Sequence, residues 1–191
     1  NSVTGVNGSS SAPMRFTIDR NPPVVSFSNP TNGTYVSGNE TLTVNVIDPS
    51  SGTNGSTVEY SINGTSWIAM ENASSAFQKT WNTGIFSNNQ SVNLFARATD
   101  NVGNNATVNI NVTVDNESPG LSIPSFPNTL TGNVQLSVNV SDNHSSVNLA
   151  NVRYTVGSLS GTLGCTCGNY SATCSTLLNT ANLQDDNHTI T

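Results

Sequence analysis

Apolar and polar residues alternate along much of this chain, and this alternation limits what the chain can fold into more than any other feature. In the run from Ala106 to Val114, every second residue is apolar and the residues between them are Thr or Asn. A period of two puts one set on each face of a β-strand. Shorter runs of the same kind occupy 41–46, 58–62 and 92–98. No stretch of useful length has helical periodicity, so the sequence predicts half-buried strands throughout.

The strand pattern also repeats, with a period of about 96 residues. Residues 15–23 align with 111–119, and residues 41–48 align with 135–142. About seven short strands, bounded by turn residues every 8–12 positions, are typical of an antiparallel β-sandwich, and one such domain has this size. The sequence therefore predicts an all-β fold of tandem antiparallel β-sandwich domains of about 96 residues each.

The phase of the repeat predicts three segments. Residues 1–19 supply the C-terminal strand of a preceding or neighbouring unit, residues 20–116 form a complete sandwich, and residues 117–191 form a second one without its last strands. Two interpretations are open. The chain is a fragment of a longer array, or its N-terminal strand completes the unfinished unit of a neighbouring molecule by strand addition. The first is favoured, because residues 1–19 supply one strand whereas the second unit lacks about two.

Asn-x-Ser/Thr sequons are nearly twice as frequent as chance predicts. The chain has 30 Asn and 51 Ser or Thr among 191 residues, which gives about eight sequons by composition, yet it contains fourteen. A sequon marks where a bulky, solubilising glycan can be attached to an exported chain. The candidate glycosylation sites are Asn7, Asn32, Asn39, Asn54, Asn63, Asn72, Asn89, Asn105, Asn111, Asn116, Asn139, Asn143, Asn169 and Asn187.

Composition agrees with an extracellular, cell-surface location and excludes other classes. Only 8% of residues are charged, against about 25% in an ordinary soluble domain. The net charge is −6 and the five basic residues are scattered, so the chain has no basic patch for nucleic acid. No run of 18 apolar residues occurs, which predicts no membrane segment in this chain.

Three short motifs carry a family resemblance. They are Pro22-Pro23 at the start of the unit, the Ala98–Asn104 turn and the closing Val114-Asp115 pair. They resemble the immunoglobulin-like and fibronectin type III-like repeats of prokaryotic surface proteins, and with the dense sequons the chain is most similar to archaeal surface glycoproteins. The resemblance implies Ig-like domains, which serve as spacers, filaments, lattices or binders.

The cysteines Cys165, Cys167 and Cys174 form one cluster. In an oxidising compartment we expect two of them to form a disulfide. Cys174 pairs with either Cys165 or Cys167, since a bridge between the latter two would close a strained ring. Aligned on the first unit, the cluster falls between Trp67 and Phe77, in a connection that is predicted to lie outside the central sheet.

Several carboxylates lie at strand ends or linkers, namely Asp48, Asp100, Asp115, Glu117 and Asp142. Calcium between tandem sandwiches uses such groups, but its sites usually gather several acidic residues within a few positions, whereas these come singly. Asp and Asn also stabilise turns by bonding their own backbone. We therefore expect no cofactor, with calcium at the linkers as the open alternative. The Asp100–Asn104 segment is predicted to be a hairpin turn in which Gly103 has positive φ.

Trp67, Trp81 and Phe86 could form an aromatic platform for sugar. Leu178 and Leu183 replace the last two in the second unit, which favours core positions for Trp81 and Phe86. Trp67 receives no assignment. No nucleophile is accompanied by a base and an orienting group, so we expect no enzyme activity.

The function predicted from these features is structural. Tandem Ig-like domains would form a glycosylated filament, stalk or surface layer, with N-linked glycans and further repeats or copies of the chain as partners. An adhesin that binds sugar or another cell through a tip domain is the alternative, with or without strand exchange between subunits. A third hypothesis makes the sandwiches accessory domains of a secreted enzyme.

Overall fold

A computed structural model describes residues 14–124, 126–168 and 170–191. Strands hold 53% of the described residues and helix 3%, and the sheets are antiparallel with one exception, which confirms the predicted all-β sandwich fold. The strands are β1 (Val24–Asn29), β2 (Tyr35–Val36), β3 (Asn39–Ile47), β4 (Thr53–Ser61), β5 (Ile68–Ala69), β6 (Glu71–Ala73), β7 (Ala76–Asn82), β8 (Gln90–Asp100), β9 (Asn105–Val114), β10 (Gly120–Ser122), β11 (Asn133–Ser141), β12 (Arg153–Val156), β13 (Leu159–Thr162), β14 (Gly164–Cys167) and β15 (Ser171–Asn179). Two 3₁₀ turns span Leu149–Asn151 and Thr180–Asn182.

Strands β1–β9 form what we call the first sandwich. One sheet has the order β1-β3-β7-β6 and the other has the order β2-β9-β8-β4-β5. The pairing of β2 with β9 is parallel and every other pairing in these two sheets is antiparallel. Their inner faces share one core, in which Leu42, Val44, Leu94 and Val112 are buried. The alternation predicted from the sequence thus puts its apolar positions between the sheets.

Strands β10–β15 form the second sandwich. Its main sheet has the order β10-β11-β15-β14, and β12 pairs with β13 in a separate hairpin. Ile190 extends that hairpin through an antiparallel bridge to Val156. The core here is smaller and is built around Leu136, Val140 and Leu163.

Residues 14–23, which precede β1, form no strand. The apolar side chains of Met14, Phe16 and Ile18 are all exposed, by 89%, 79% and 63%. The C-terminal strand predicted within residues 1–19 therefore has no partner in the described part of this chain, and residues 1–13 lie outside it. The assignment of residues 1–19 to a preceding or neighbouring unit, and the limits 20–116 and 117–191, stay predictions.

Candidate functional site

The sequon asparagines lie on the surface of both sandwiches. Twelve of the fourteen are within the described residues; eleven of these are exposed and Asn54 is half-buried. Asn39, Asn54, Asn72, Asn105, Asn111 and Asn139 lie on strands, and Asn32, Asn63, Asn89, Asn116, Asn143 and Asn187 lie in turns or connections. Asn7 and Asn169 lie outside the described residues. The five exposed strand sequons lie on the solvent face of their strands. Asn54 precedes an irregularity in β4 and is half-buried.

Five sequon amides are held through their carbonyl oxygen. Oδ1 accepts a hydrogen bond at Asn32, Asn54, Asn63, Asn111 and Asn139. At none of these five does Nδ2 donate to a described residue within hydrogen-bond distance. Glycan attachment uses Nδ2, the amide atom that these five side chains do not use in hydrogen bonds to the described residues.

Asn116 differs from those five because both ends of its amide are bonded within the protein. Oδ1 accepts from the backbone N–H of Gly38 at 2.9 Å and lies 2.9 Å from the hydroxyl of Thr83. Nδ2 donates to the backbone oxygen of Thr83 at 3.1 Å. The backbone N–H of Asn116 donates to the side chain of Asn88 at 2.8 Å. The amide therefore joins the end of β9 to the connections before β3 and after β7.

The structure brings two of the predicted carboxylates, Asp48 and Asp100, together with Asp19. Each offers a carboxylate oxygen, and these oxygens lie within 4.8 Å of one another. Oδ1 of Asp48 accepts the backbone N–H groups of residues 50–52, and Oδ1 of Asp100 accepts those of residues 102–104. Both carboxylates thus stabilise turns, as the sequence predicts. Sequence reasoning missed Asp19, although the alignment of 15–23 with 111–119 pairs it with Asp115.

The second sandwich repeats this arrangement at Asp115 and Asp142, which are joined by His144 instead of a third carboxylate. Oδ1 of Asp142 accepts the backbone N–H groups of His144 and Ser145, both at 2.8 Å. Glu117 lies beside the group, with Oε2 3.0 Å from Nδ1 of His144. Oxygen ligands suit calcium, which takes six to eight of them. Either cluster would need backbone oxygens or water in addition.

The turns determine the ionisation of two of these groups. Burial opposes the charge of Asp100, but the hydrogen bonds from the side chain of Asn104 and from three backbone N–H groups hold its pKa below the usual range. The backbone N–H groups of His144 and Ser145 likewise lower the pKa of Asp142. Gly103, in the turn that Asp100 anchors, has φ of +100°, as predicted. The Asp100–Asn104 hairpin turn is therefore confirmed.

A disulfide joins Cys165 to Cys174, which is one of the two pairings that the sequence left open. The half-cystines face each other across β14 and β15, and Cys174 is fully buried in the core of the second sandwich. The expected position in a connection outside the sheet is wrong, because both residues lie on hydrogen-bonded strands of the main sheet. The side chain of Cys167 lies outside the described residues.

Of the aromatic residues proposed as a sugar platform, Trp81 is 4% exposed and its ring contacts that of Phe86, with centroids 5.5 Å apart. Phe86 is half-buried against the same core, so the core interpretation of this pair is confirmed. Trp67 lies on the outer face, where the guanidinium of Arg97 sits 4.1 Å from its ring centroid. Arg97 also forms an ion pair with Glu59, directly opposite on β4. The cation covers one of the two faces of this ring.

No described helix is long and apolar enough to cross a membrane. Histidine, cysteine and carboxylate side chains of the described residues come together in the clusters given above, and none of these contains a nucleophile beside a base. The arrangement of side chains is thus that of a polar, sequon-bearing surface with carboxylate-capped turns at the ends of the strands.

The comparisons with known proteins agree with the fold. Residues 23–96 match the profile of the family described as Bacterial Ig domain. The fibronectin(III)-like modules of CbhA from Clostridium thermocellum are similar over 87% of this chain and 83% of theirs, with 16% identity and a TM-score of 0.50. No curated protein sequence matches the chain.

Two larger solved structures contain a similar part. They are the endo-beta-1,4-mannanase from Thermotoga petrophila, with 16% identity, a TM-score of 0.44 and 52% of this chain covered, and an engineered protein, with 23% identity, a TM-score of 0.38 and 49% covered. This chain spans only 21% and 20% of their respective lengths. From the family match and the CbhA modules we conclude that the chain contains an Ig-like β-sandwich repeat.

Proposed function

We propose that this chain is a non-enzymatic structural part of a glycosylated filament, stalk or surface layer outside a prokaryotic, archaeal cell. The observation that carries the proposal is the placement of the sequons, eleven of which are exposed among the twelve described. Glycans at these positions would supply the solubility that so few charged residues cannot, and would cover strand edges that otherwise pair with other chains. The proposed partners are the covalent glycans and further repeats or copies of the chain.

Proline residues support the mechanical side of the proposal. Pro22 and Pro23 precede β1, Pro119 precedes β10, and Pro23 is buried against the first sandwich. Proline fixes its own φ and restricts the residue before it, so these segments have few conformations. Each sandwich would then be a rigid unit, joined to the next by a segment with restricted motion.

Electron microscopy of the native material, combined with site-resolved mass spectrometry of its glycopeptides, tests this proposal. We expect a continuous helical or lattice assembly with sugar on several of the exposed asparagines. Flexible strings of beads that end in a different domain would contradict the filament and favour the adhesin. Asparagines without sugar at every site would contradict the proposed glycan coat.

The strand-exchanging alternative has one observation in its favour. Met14, Phe16 and Ile18 alternate with polar residues and are exposed, which is how a donor strand would look before it meets a partner. Sedimentation of the isolated chain distinguishes the two. Strand exchange predicts concentration-dependent oligomers that Phe16→Asn abolishes and Val102→Asn, at an exposed turn position, leaves unchanged. A monomer at every concentration would exclude exchange between these subunits.

For cofactors, we propose that the fold needs none, because Asp48, Asp100 and Asp142 already serve their own turns. The thermal midpoint should then be equal in EDTA and in millimolar calcium. A rise of several degrees with calcium would contradict this. If the Asp48→Asn variant loses that rise, the cation lies at the cluster of Asp19, Asp48 and Asp100.

A further inference from the structure

We propose that Asn116 is a structural clasp of the first sandwich and that its sequon carries no glycan. The inference rests on the proposed function, because it separates the sequons that would carry a glycan from one that would not. Twelve of them are visible in the described residues, and Asn116 is distinguished from the others by the use of its amide nitrogen as a donor to the protein. The remaining sequons are the sites at which we place the glycans.

The clasp is built on a joint that both sandwiches share. In the first, the N–H and the hydroxyl of Thr83 lie 2.8 and 2.9 Å from the carbonyl oxygen of Gly38. In the second, the N–H and the hydroxyl of Thr180 both lie 3.0 Å from the carbonyl oxygen of Gly132. This joint ties the start of one strand to the end of its neighbour in the same sheet.

Asn116, which follows β9, is hydrogen-bonded to both residues of that joint. Its Oδ1 accepts a hydrogen bond from the backbone N–H of Gly38 and lies 2.9 Å from the hydroxyl of Thr83. Thr83 is fully buried. Its Nδ2 returns a hydrogen bond to the backbone of Thr83. The chain that leaves β9 is therefore fixed to the opposite sheet at the point where it departs toward the second sandwich.

Glycan transfer competes for the same atom. In the transfer, a bond forms between Nδ2 and C1 of a sugar, the bond from C1 to the phosphate of an activated lipid-linked donor breaks, and one amide proton leaves with the phosphate or a base. At Asn116 the nitrogen is directed at a backbone oxygen beside a buried threonine, so a folded acceptor cannot present it. At Asn63 and Asn111 the nitrogen has no such partner, while Oδ1 holds the amide plane in place.

The local sequence gives an independent reason. Asn116 belongs to Asn-Glu-Ser-Pro, and its sequon is the one among the fourteen that is followed directly by proline. Pro119 restricts the backbone of Ser118 to extended conformations. Ser118 supplies the hydroxyl of the sequon, so this restriction limits the backbone conformations in which a transferase can bind the segment.

The first test is site-resolved occupancy in the chain produced by a glycosylating host. We expect glycan occupancy at Asn116 to be at least tenfold below that at Asn111, which lies on β9 shortly before it. Equal occupancy at the two sites in folded protein would overturn the inference.

The second test uses unglycosylated protein, so that it decides even if no asparagine carries sugar. Asn116→Ala should lower the melting temperature by roughly 5 °C, because Gly38 and Thr83 lose their partner. The matched control is Ser118→Ala, which deletes the sequon and keeps the amide, and should leave the midpoint unchanged. Equal midpoints for the two variants would overturn the clasp. Bare asparagines with a specific loss in Asn116→Ala would sink the glycan-coat proposal and leave the clasp standing.

Discussion

The two sandwiches build the same sheet with different core materials. In the first, Val44 of β3 pairs with Phe77 of β7, and in the second the corresponding Val138 pairs with Cys174. Trp81 of the first sandwich is likewise replaced by Leu178. One unit fills its interior with aromatic rings, and the other uses smaller groups and a covalent cross-link. A repeat therefore conserves its backbone pairing while the means of stabilising the core changes from unit to unit.

The largest effect is expected from Trp81→Ala. Trp81 is buried between the sheets, and truncation of a buried Trp costs about 3–5 kcal/mol through lost burial and the cavity left behind. Calorimetry should show a lower transition for the first sandwich and an unchanged one for the second. Trp81→Leu, which introduces the residue of the second unit, should lose less. Leu177→Ala, at a position that is 70% exposed, is the control, and an equal loss there would contradict the core role.

Removal of the disulfide should act on the other unit. The bridge closes a loop with a sequence separation of 9, for which loop entropy gives about 2–3 kcal/mol. The double variant Cys165→Ala, Cys174→Ala should lower the transition of the second sandwich and leave that of the first in place. If the double variant lowers both transitions equally, the two sandwiches unfold as one unit, and the disulfide does not stabilise the second sandwich separately.

Acid should affect both units in the same direction, because Asp100 and Asp142 each accept backbone N–H groups of their own turns. Their folded-state pKa values lie below the usual value of about 3.9. The stability they contribute is present above that unfolded-state value and is lost as the pH falls through the lower folded-state value. The melting temperatures of both sandwiches should therefore decrease when the pH is lowered below about 4. Asp100→Asn should flatten this dependence in the first sandwich only, and an unaltered acid profile would contradict the role of its carboxylate.

The smallest effect is expected on the outer face of the first sandwich. Arg97 pairs with Glu59 and covers Trp67, but its side chain is 43% exposed, so solvent screens the pair. Arg97→Ala should cost about 1 kcal/mol or less, measured by urea unfolding. Arg153→Ala, at an exposed position of β12, is the control. A loss of several kcal/mol would show that this face is part of the core.

Much of the fold could be predicted because strand alternation is a local signal. The run from Ala106 to Val114 specifies both faces of β9 without reference to any other residue. The placement of Asp19 beside Asp48 and Asp100 could not be predicted, since it depends on how the segment before β1 folds back on two distant turns. The position of the cysteines in the sheet could not be predicted, because they align with the segment between Trp67 and Phe77, where strands as short as β6 and β14 carry no alternation that marks them as part of a sheet.

The use of each asparagine amide was equally hidden from the sequence. Asn111 and Asn116 carry the same three-residue signal, yet only the amide nitrogen of Asn116 donates to a described residue, Thr83. The difference is set by what lies across the sandwich, about thirty residues earlier in the chain. A sequon pattern therefore predicts candidate sites, and tertiary hydrogen bonding decides among them.

The parallel pairing of β2 with β9 determines how the first sandwich responds to tension. Strand β1 follows the point where the chain enters and pairs with β3, β2 comes next, and β9 ends where the chain leaves. Once β1 has separated from β3, a pull on the two ends drives β2 and β9 past each other. The bonds from Thr113 N–H to Thr34 O and from Asp115 N–H to Val36 O, at 3.0 and 2.9 Å, then lie across the force and share it. Antiparallel strands pulled apart from one end release their bonds singly. The first sandwich is therefore expected to yield to stretching only when this short strand pair shears as a whole.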